Sequence, residues 1–253
     1  MTDLLRELGV RRDGDVMHLS LQRSDKGNAL SGALVAALMQ AVEVAAAEQV
    51  RLLVLSGEGR HFCTGFDLSN LDQETDDSLL ARFVRVELLL QALHAAPFTT
   101  LALAHGRTMG AGADLFCACA ERWMVGDTSF AFPGAAFGLV LGTARLADTV
   151  GPTQARDWIE AGRVIDGAAA LASGLATRQL LPETLDAEVA KLAARTRRLD
   201  GPTQRAIHAA IDGSRRPRGI AGDAQDLVRL ARSAARPRLR DRIAAYRAAQ
   251  ARA

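Results

Sequence analysis

Lysine is nearly absent: Lys26 and Lys191 are the only two among 31 basic residues. Arginine is the habitual cation here, so an arginine at any one position says little about phosphate recognition. Cysteine is scarce as well, at three (Cys63, Cys117, Cys119). An odd number, two of them at i and i+2, offers no disulfide framework and fits a reducing compartment. Tyrosine occurs once, at Tyr246, and aromatics make up 4% of the chain, which leaves little for stacking on single-stranded nucleic acid. No hydrophobic run approaches the length that spans a bilayer. Residues 1–15 (MTDLLRELGVRRDGD) mix acids and arginines where a signal peptide would have an apolar centre. A cytoplasmic protein with no membrane partner is expected.

What is present is an ordinary globular composition: 253 residues, 49% hydrophobic and 24% charged, unlike a disordered chain. We expect one main α/β domain over residues 1–200 and a helical region over 201–253. Net charge is only +2 but unevenly held, because from residue 214 onward eleven arginines face only Asp223, Asp226 and Asp241. Such a tail can close over a site as an amphipathic helical segment and offer cations to phosphates, or serve as a basic strip for nucleic acid. The shortage of aromatics weighs against the second use, and no nucleic-acid partner is expected.

Residues 16–21 (VMHLSL) alternate like a half-buried strand, whereas 52–55 (LLVL) and 99–104 (TTLALA) are continuously apolar, like strands covered on both faces. Residues 33–47 and 78–94 place apolar side chains at helical spacing, with Ser31 and Asp77 as N-caps. Strand, helix, strand, helix, strand predicts right-handed crossovers and a largely parallel sheet. Residues 106–121 read as a glycine-rich turn running into an apolar helix, 123–125 as a short strand, and the chain from Thr143 onward as mostly helical.

Two glycine-bearing segments follow apolar strands: GEGRHFCTGFDL (57–68) and HGRTMGAGAD (105–114). Loops at the carboxyl ends of parallel strands are where such folds bind ligands. Glycine lets the backbone approach a ligand with no Cβ in the way. Gly110-Ala111-Gly112 also opens a helix, whose first N–H groups lack intrahelical partners. Two such loops could aim two main-chain donors at one oxygen, forming an oxyanion hole for an enolate or tetrahedral intermediate. A phosphate cradle is the competing reading.

RSDKGNALS (23–31), GEGRHFCTGFDL (57–68), HGRTMGAGADL (105–115) and GAAALASGLA (167–176) together resemble the successive signatures of the enoyl-CoA hydratase/isomerase, or crotonase, superfamily. The resemblance implies a crotonase-like α/β fold, a spiral of ββα turns with a C-terminal helical trimerisation region, assembled as a homotrimer or dimer of trimers. It implies an enzyme of fatty-acid or related acyl-CoA metabolism that stabilises a thioester enolate. Matched by position, the oxyanion donors are the amides of Phe66 and Ala111, the latter where the family usually has glycine. Coenzyme A contacts fall on Lys26, Ala29, Thr64, Asp67 and Leu68. Coenzyme A enters as part of the substrate, and no metal or redox cofactor is implied.

The family's first catalytic glutamate matches Asp114, read as the general acid/base; by position alone it could equally be a first-turn acid that complements the helix dipole. The second glutamate matches Gly134, and an aspartate used by some relatives matches Gly142. Hydration by two carboxylates thus lacks its second group. A hydratase, a single-base isomerase and a catalytically weak acyl-CoA binder all stay open. His61 and His105 adjoin the two loops and could supply acid/base function, although a histidine at a strand end more often bonds backbone. Cys63 has no evident partner for nucleophilic work, and Cys117 and Cys119 are expected in the core. Phe83, Val84, Leu88 and Leu89 could line an acyl pocket or form a core stripe.

Overall fold

The computed structural model describes residues 6–215 and 219–252, with side chains undescribed over 212–221. The positions of Arg216 and Arg218 in the basic tail lie outside the described residues, as does the side chain of Arg215. The chain opens with an antiparallel pair, β1 (Leu8–Asp13) and β2 (Val16–Leu21). β1 is invisible to hydrophobic patterning because only Leu8 is buried, while Arg11, Arg12 and Asp13 stay exposed. Charge of this kind suits a sheet edge.

From β2 the expected alternation follows. α1 (Gly32–Ala47) starts at Ser31, whose hydroxyl accepts from the Leu34 amide. β3 (Leu52–Gly57) pairs parallel with β2, and its Leu52, Leu53, Val54 and Leu55 are all buried. α2 (Asp76–His94) is capped by Thr75 rather than Asp77: Thr75 and Ser78 exchange side-chain-to-amide bonds in a capping box. Asp76 and Asp77 sit inside the first turn, where they complement the dipole instead.

β4 (Thr99–Met109) and β5 (Glu121–Ala131), joined by α3 (Ala111–Ala118), both outrun their apolar segments. β4 continues past a register shift at Ala104/Gly106, and residues 106–109 pair with 128–131. The stretch expected to be a turn is therefore strand, held by ladder hydrogen bonds to a partner, with Thr108 its one buried side chain. The seven-stranded sheet runs β1-β2-β3-β4-β5-β6, with β6 (Ile165–Asp166) antiparallel to β5 and β7 (Arg178–Leu180) parallel to it.

The helices after β5 are α4 (Thr143–Val150), α5 (Pro152–Glu160), α6 (Gly167–Ala172), α7 (Leu185–Thr196), α8 (Gly201–Arg215), α9 (Gly219–Ala234) and α10 (Leu239–Gln250). One face of the sheet packs on α1, α2 and α3 in the main core. Val16, Leu52, Val54, Leu101, Leu103 and Trp123 on the other face meet Leu192 and Ala193 of α7. Two-sided cover explains the continuous apolar runs. A third cluster joins Leu79 and Phe83 of α2 and Phe137 to Leu230, Leu239 and Ile243 of α9 and α10. This last contact folds the C-terminal helices back over the loop end of the sheet. Arg242 secures it by donating to the carbonyls of Ser233, Arg236, Pro237 and Phe137. Among the described residues no helix is long and apolar enough to cross a membrane.

Candidate active site

The loop after β3 is threaded between two neighbours. The Thr64 amide bonds Gly27 O at 2.9 Å, Gly65 O receives the Leu30 amide at 2.7 Å, and the Asp67 amide bonds Leu30 O at 3.1 Å. On its other side, Met109 donates to Cys63 O at 2.9 Å. Every one of these bonds skips the Phe66 amide, which donates to no described residue. The Ala111 amide, first in α3, is likewise unbonded, as helix geometry requires of a first-turn N–H with no cap.

The two loops interlock through glycine. A Cβ on Gly112 would collide with Cys63 O, and one on Gly65 (φ +104°) would lie 2.8 Å from Met109 O and 3.6 Å from the Ala111 nitrogen. Close approach of the two loops thus depends on missing side chains at these two positions. Ala111 itself is not among the residues with positive φ, so its Cβ is accommodated without strain. Phe66 and Ala111 line the same cavity, about 830 Å³, with Asp114, Phe83, Gly134, Phe137, Leu141 and Tyr246 among its other walls.

Phe66 is held by its neighbours. The Phe66 ring stacks on Phe83 with centroids 4.1 Å apart, and the Arg82 guanidinium carbon lies 4.2 Å from the same centroid. Arg82 also donates to Asp67 O at 2.9 Å. The Asp67 carboxylate takes bonds from Arg23 (2.8 Å) and from the Ser69 amide and hydroxyl. Burial pushes the Asp67 pKa up, yet the Ser69 and Arg23 hydrogen bonds outweigh it and hold the group below its ordinary value.

Asp114 lies one turn into α3, only 6% exposed, and its carboxyl accepts no hydrogen bond from a described residue. Burial raises its pKa to about 8, opposed by Arg145 and reinforced by Glu87. Gly142, the N-cap of α4, closes one side, since a Cβ there would collide with the Asp114 Oδ1. Gly134 differs: the nearest atom to an added Cβ is Leu139 O at 3.7 Å, an ordinary contact.

The Thr64 hydroxyl donates to Lys26 O at 3.4 Å, and the Ala29 amide bonds the same carbonyl at 3.2 Å. The Lys26 side chain is exposed and Ala29 is buried. Leu68 is half-buried, and its carbonyl receives Arg247 of α10 at 2.9 Å. The histidines serve the loop backbone. His61 Nδ1 accepts from the Arg107 amide at 3.1 Å, and His105 Nε2 bonds Gly59 O at 3.0 Å. Neither ring lines the cavity. Burial first, then Arg60, Arg107 and His105, lower the His61 pKa. Of the α2 residues proposed for an acyl pocket, Phe83 lines the cavity, Leu89 is core, and Leu88 is 37% exposed.

Sequence reading overlooked Glu87, Arg145 and Tyr246. The first had a signal: Glu87 stands four residues after Phe83, on the buried face of α2 with Leu79, Leu90 and Leu93. A carboxylate placed there must find a partner, and it finds Arg145 of α4, itself 3% exposed.

All three cysteines are buried. Burial raises the thiols of Cys63 and Cys119 to about 12 and that of Cys117 above its ordinary value, which leaves little thiolate at neutral pH. Iodoacetamide at pH 8 should therefore label none of them in the native protein and all three in guanidinium, as counted by mass spectrometry. Rapid native labelling of Cys63 would show that the loop opens.

A parallel-rich sheet whose strand-end loops wall a cavity beneath returning C-terminal helices places the molecule among the crotonase-fold proteins. The chain belongs to the enoyl-CoA hydratase/isomerase family, whose family model matches residues 11–236. A solved structure assigned to an enoyl-CoA hydratase/isomerase of Bordetella parapertussis superposes with a TM-score of 0.90 at 40% identity, covering 95% of this chain and 98% of that one. A Mycobacterium bovis relative named as the enoyl-CoA hydratase echA6 is 33% identical over 175 residues, 68% of this chain and 70% of its own. The ethylmalonyl-CoA decarboxylase of Rattus norvegicus is 31% identical over 169 residues, 65% of this chain and 56% of its own.

Proposed function

We propose that this protein is an enoyl-CoA hydratase/isomerase-type enzyme acting on acyl-coenzyme A thioesters in fatty-acid or related acyl-CoA metabolism, and that it works through an enolate held by two main-chain amides. The observation that carries this reading is the pair of unbonded N–H groups, Phe66 and Ala111, on one cavity wall with a single buried carboxyl. The relatives' names share one chemical element, a coenzyme A thioester. As charge develops on the thioester oxygen, fixed donors stabilise it without reorganising, each worth about 3 to 4 kcal/mol in comparable sites. Asp114 moves the proton, and with its pKa near 8 both its forms are within reach at neutral pH.

Lys26, Ala29, Thr64, Asp67 and Leu68 form the coenzyme A edge, where Lys26 meets phosphate and Asp67 keeps the loop in shape through Arg23. The helical region over 201–253 assembles the protein as a homotrimer or dimer of trimers in the cytoplasm. Ile207 and Ile211 of α8, 41% and 45% exposed, support an apolar contact there. No metal or redox cofactor takes part, and neither does nucleic acid.

A second reading is a catalytically weak acyl-CoA binder, favoured by glycine at both 134 and 142, which removes the second carboxylate. Assays of crotonyl-CoA hydration and 3-enoyl-CoA isomerisation separate the two: turnover supports the enzyme, and binding without turnover across a broad thioester panel supports the binder. Isotope-edited infrared spectra of bound [1-13C]acyl-CoA should show the thioester carbonyl stretch moved to lower frequency. An unshifted carbonyl would remove the two amides from the mechanism.

A further inference from the structure

Beneath the cavity lies a charged cluster that positional matching does not touch. Glu87 and Arg145 form an ion pair with side chains 1% and 2% exposed. Glu87 Oε1 also receives Gln91 at 2.8 Å. Only Arg145 Nη2 is bonded to Glu87; Nε and Nη1 are buried and have no hydrogen-bond partner among the described residues. Unsatisfied donors on a buried cation are costly and rarely kept without use. Asp114 lies within electrostatic reach of both residues, and its carboxyl has no hydrogen-bond partner among the described residues. α4 carries the two features together: its N-cap, Gly142, abuts the Asp114 carboxyl, and Arg145 follows within its first turn.

We propose that Glu87 and Arg145 are positioning residues for Asp114: Glu87 holds the guanidinium by one nitrogen, so that the other two stay free to receive the Asp114 carboxylate once its proton has left. The inference rests on the reading of Asp114 as the proton carrier. In that step the Asp114 O–H bond breaks, a C–H bond forms at the enolate carbon, and the electron pair stays on the carboxylate. Arg145 remains protonated throughout and only gathers the new charge. Glu87 keeps Arg145 from holding Asp114 permanently ionised, which would leave no acid to donate. The other charged or titratable groups around this set are Cys117 on α3, Asp226 of α9 (paired with Arg229), and, along the cavity, Arg107 of β4, Glu160 of α5 and Tyr246 of α10.

The test reads Asp114 directly, without turnover. Protein labelled with 13C at aspartate carboxyls is titrated by NMR, with Asp114→Asn assigning the resonance. Glu87→Gln releases the guanidinium to Asp114 and should lower its midpoint by about one pH unit or more. Since removing one partner of a buried pair can unfold a protein, the double variant Glu87→Gln/Arg145→Gln, which buries no charge of the pair, serves as the second arm. There the midpoint should rise above the wild-type value, because the attraction of Arg145 outweighs the repulsion of Glu87. The alkaline limb of kcat should move in the same direction as the midpoint in each variant. A midpoint unmoved in whichever variant folds overturns the proposal and leaves the ion pair a packing feature. If no thioester turns over, the reading of Asp114 as proton carrier fails, while the titration still decides whether the pair governs its charge.

Discussion

Asp114→Asn should give a protein that is more stable at alkaline pH and has lost most of its activity. The activity term is direct: an amide can neither give nor take the proton, and positioned acid/base groups contribute about 10²- to 10⁴-fold. The stability term follows from linkage. Burial raises the folded pKa of Asp114 from 3.8 to about 8, so the folded state binds more protons than the unfolded one between those values. Stability is therefore intact below 3.8 and falls as pH rises toward about 8, by up to about 1.4 kcal/mol per unit. The variant escapes that slope. Its Tm relative to the parent should climb from pH 4 to pH 8, a gain on the order of 10 °C for a chain of this size, whatever constant cost the buried amide adds. Thermal melts at the two pH values check it. A difference that stays flat with pH would mean that Asp114 is ionised in the folded protein. The kinetic profile carries a matching sign: if Asp114 begins the reaction as acid, kcat is level below about pH 8 and declines above, whereas a group that begins as base gives the mirror image.

Gly134→Glu should confer or raise crotonyl-CoA hydration, by about 10²-fold or more over the parent. Position 134 lines the cavity that contains Asp114, has no positive φ, and leaves an added Cβ at ordinary contact distance. A second carboxyl can enter there without rebuilding the wall. Gly142→Glu is the contrasting variant, since its side chain would start inside the Asp114 carboxyl on a backbone at φ +65°, which L residues seldom adopt. We expect it to destabilise the protein and to abolish whatever turnover the parent has. Coupled spectrophotometric assays on both variants, with circular dichroism to confirm folding, decide the matter. A folded Gly134→Glu protein that binds acyl-CoA and hydrates nothing would show that positions 134 and 114 do not address the same carbon.

Much of this protein is written locally. Leu52 to Leu55 are apolar without interruption because both faces of β3 are covered, and that pattern alone announces a sheet between helical layers. Ser31 is legible as a cap because its hydroxyl serves an amide three residues on. The two glycine segments and the place of Asp114 are likewise short-range signals. Other features have no local trace. β1 and the outer halves of β4 and β5 exist because a neighbouring strand supplies their hydrogen bonds. No periodicity within such a segment reports its partner. The sequence therefore determined the class of fold, the two glycine loops and a carboxyl in the first turn of the helix that follows the second. The tertiary structure decided that the two amides stay unbonded among the described residues, that α10 returns to the cavity, and that burial raises the Asp114 pKa to about 8. The reason is physical: charge state and free hydrogen-bonding capacity are sums over every atom nearby, and around Asp114 those atoms come from α2 and α4, far away along the chain.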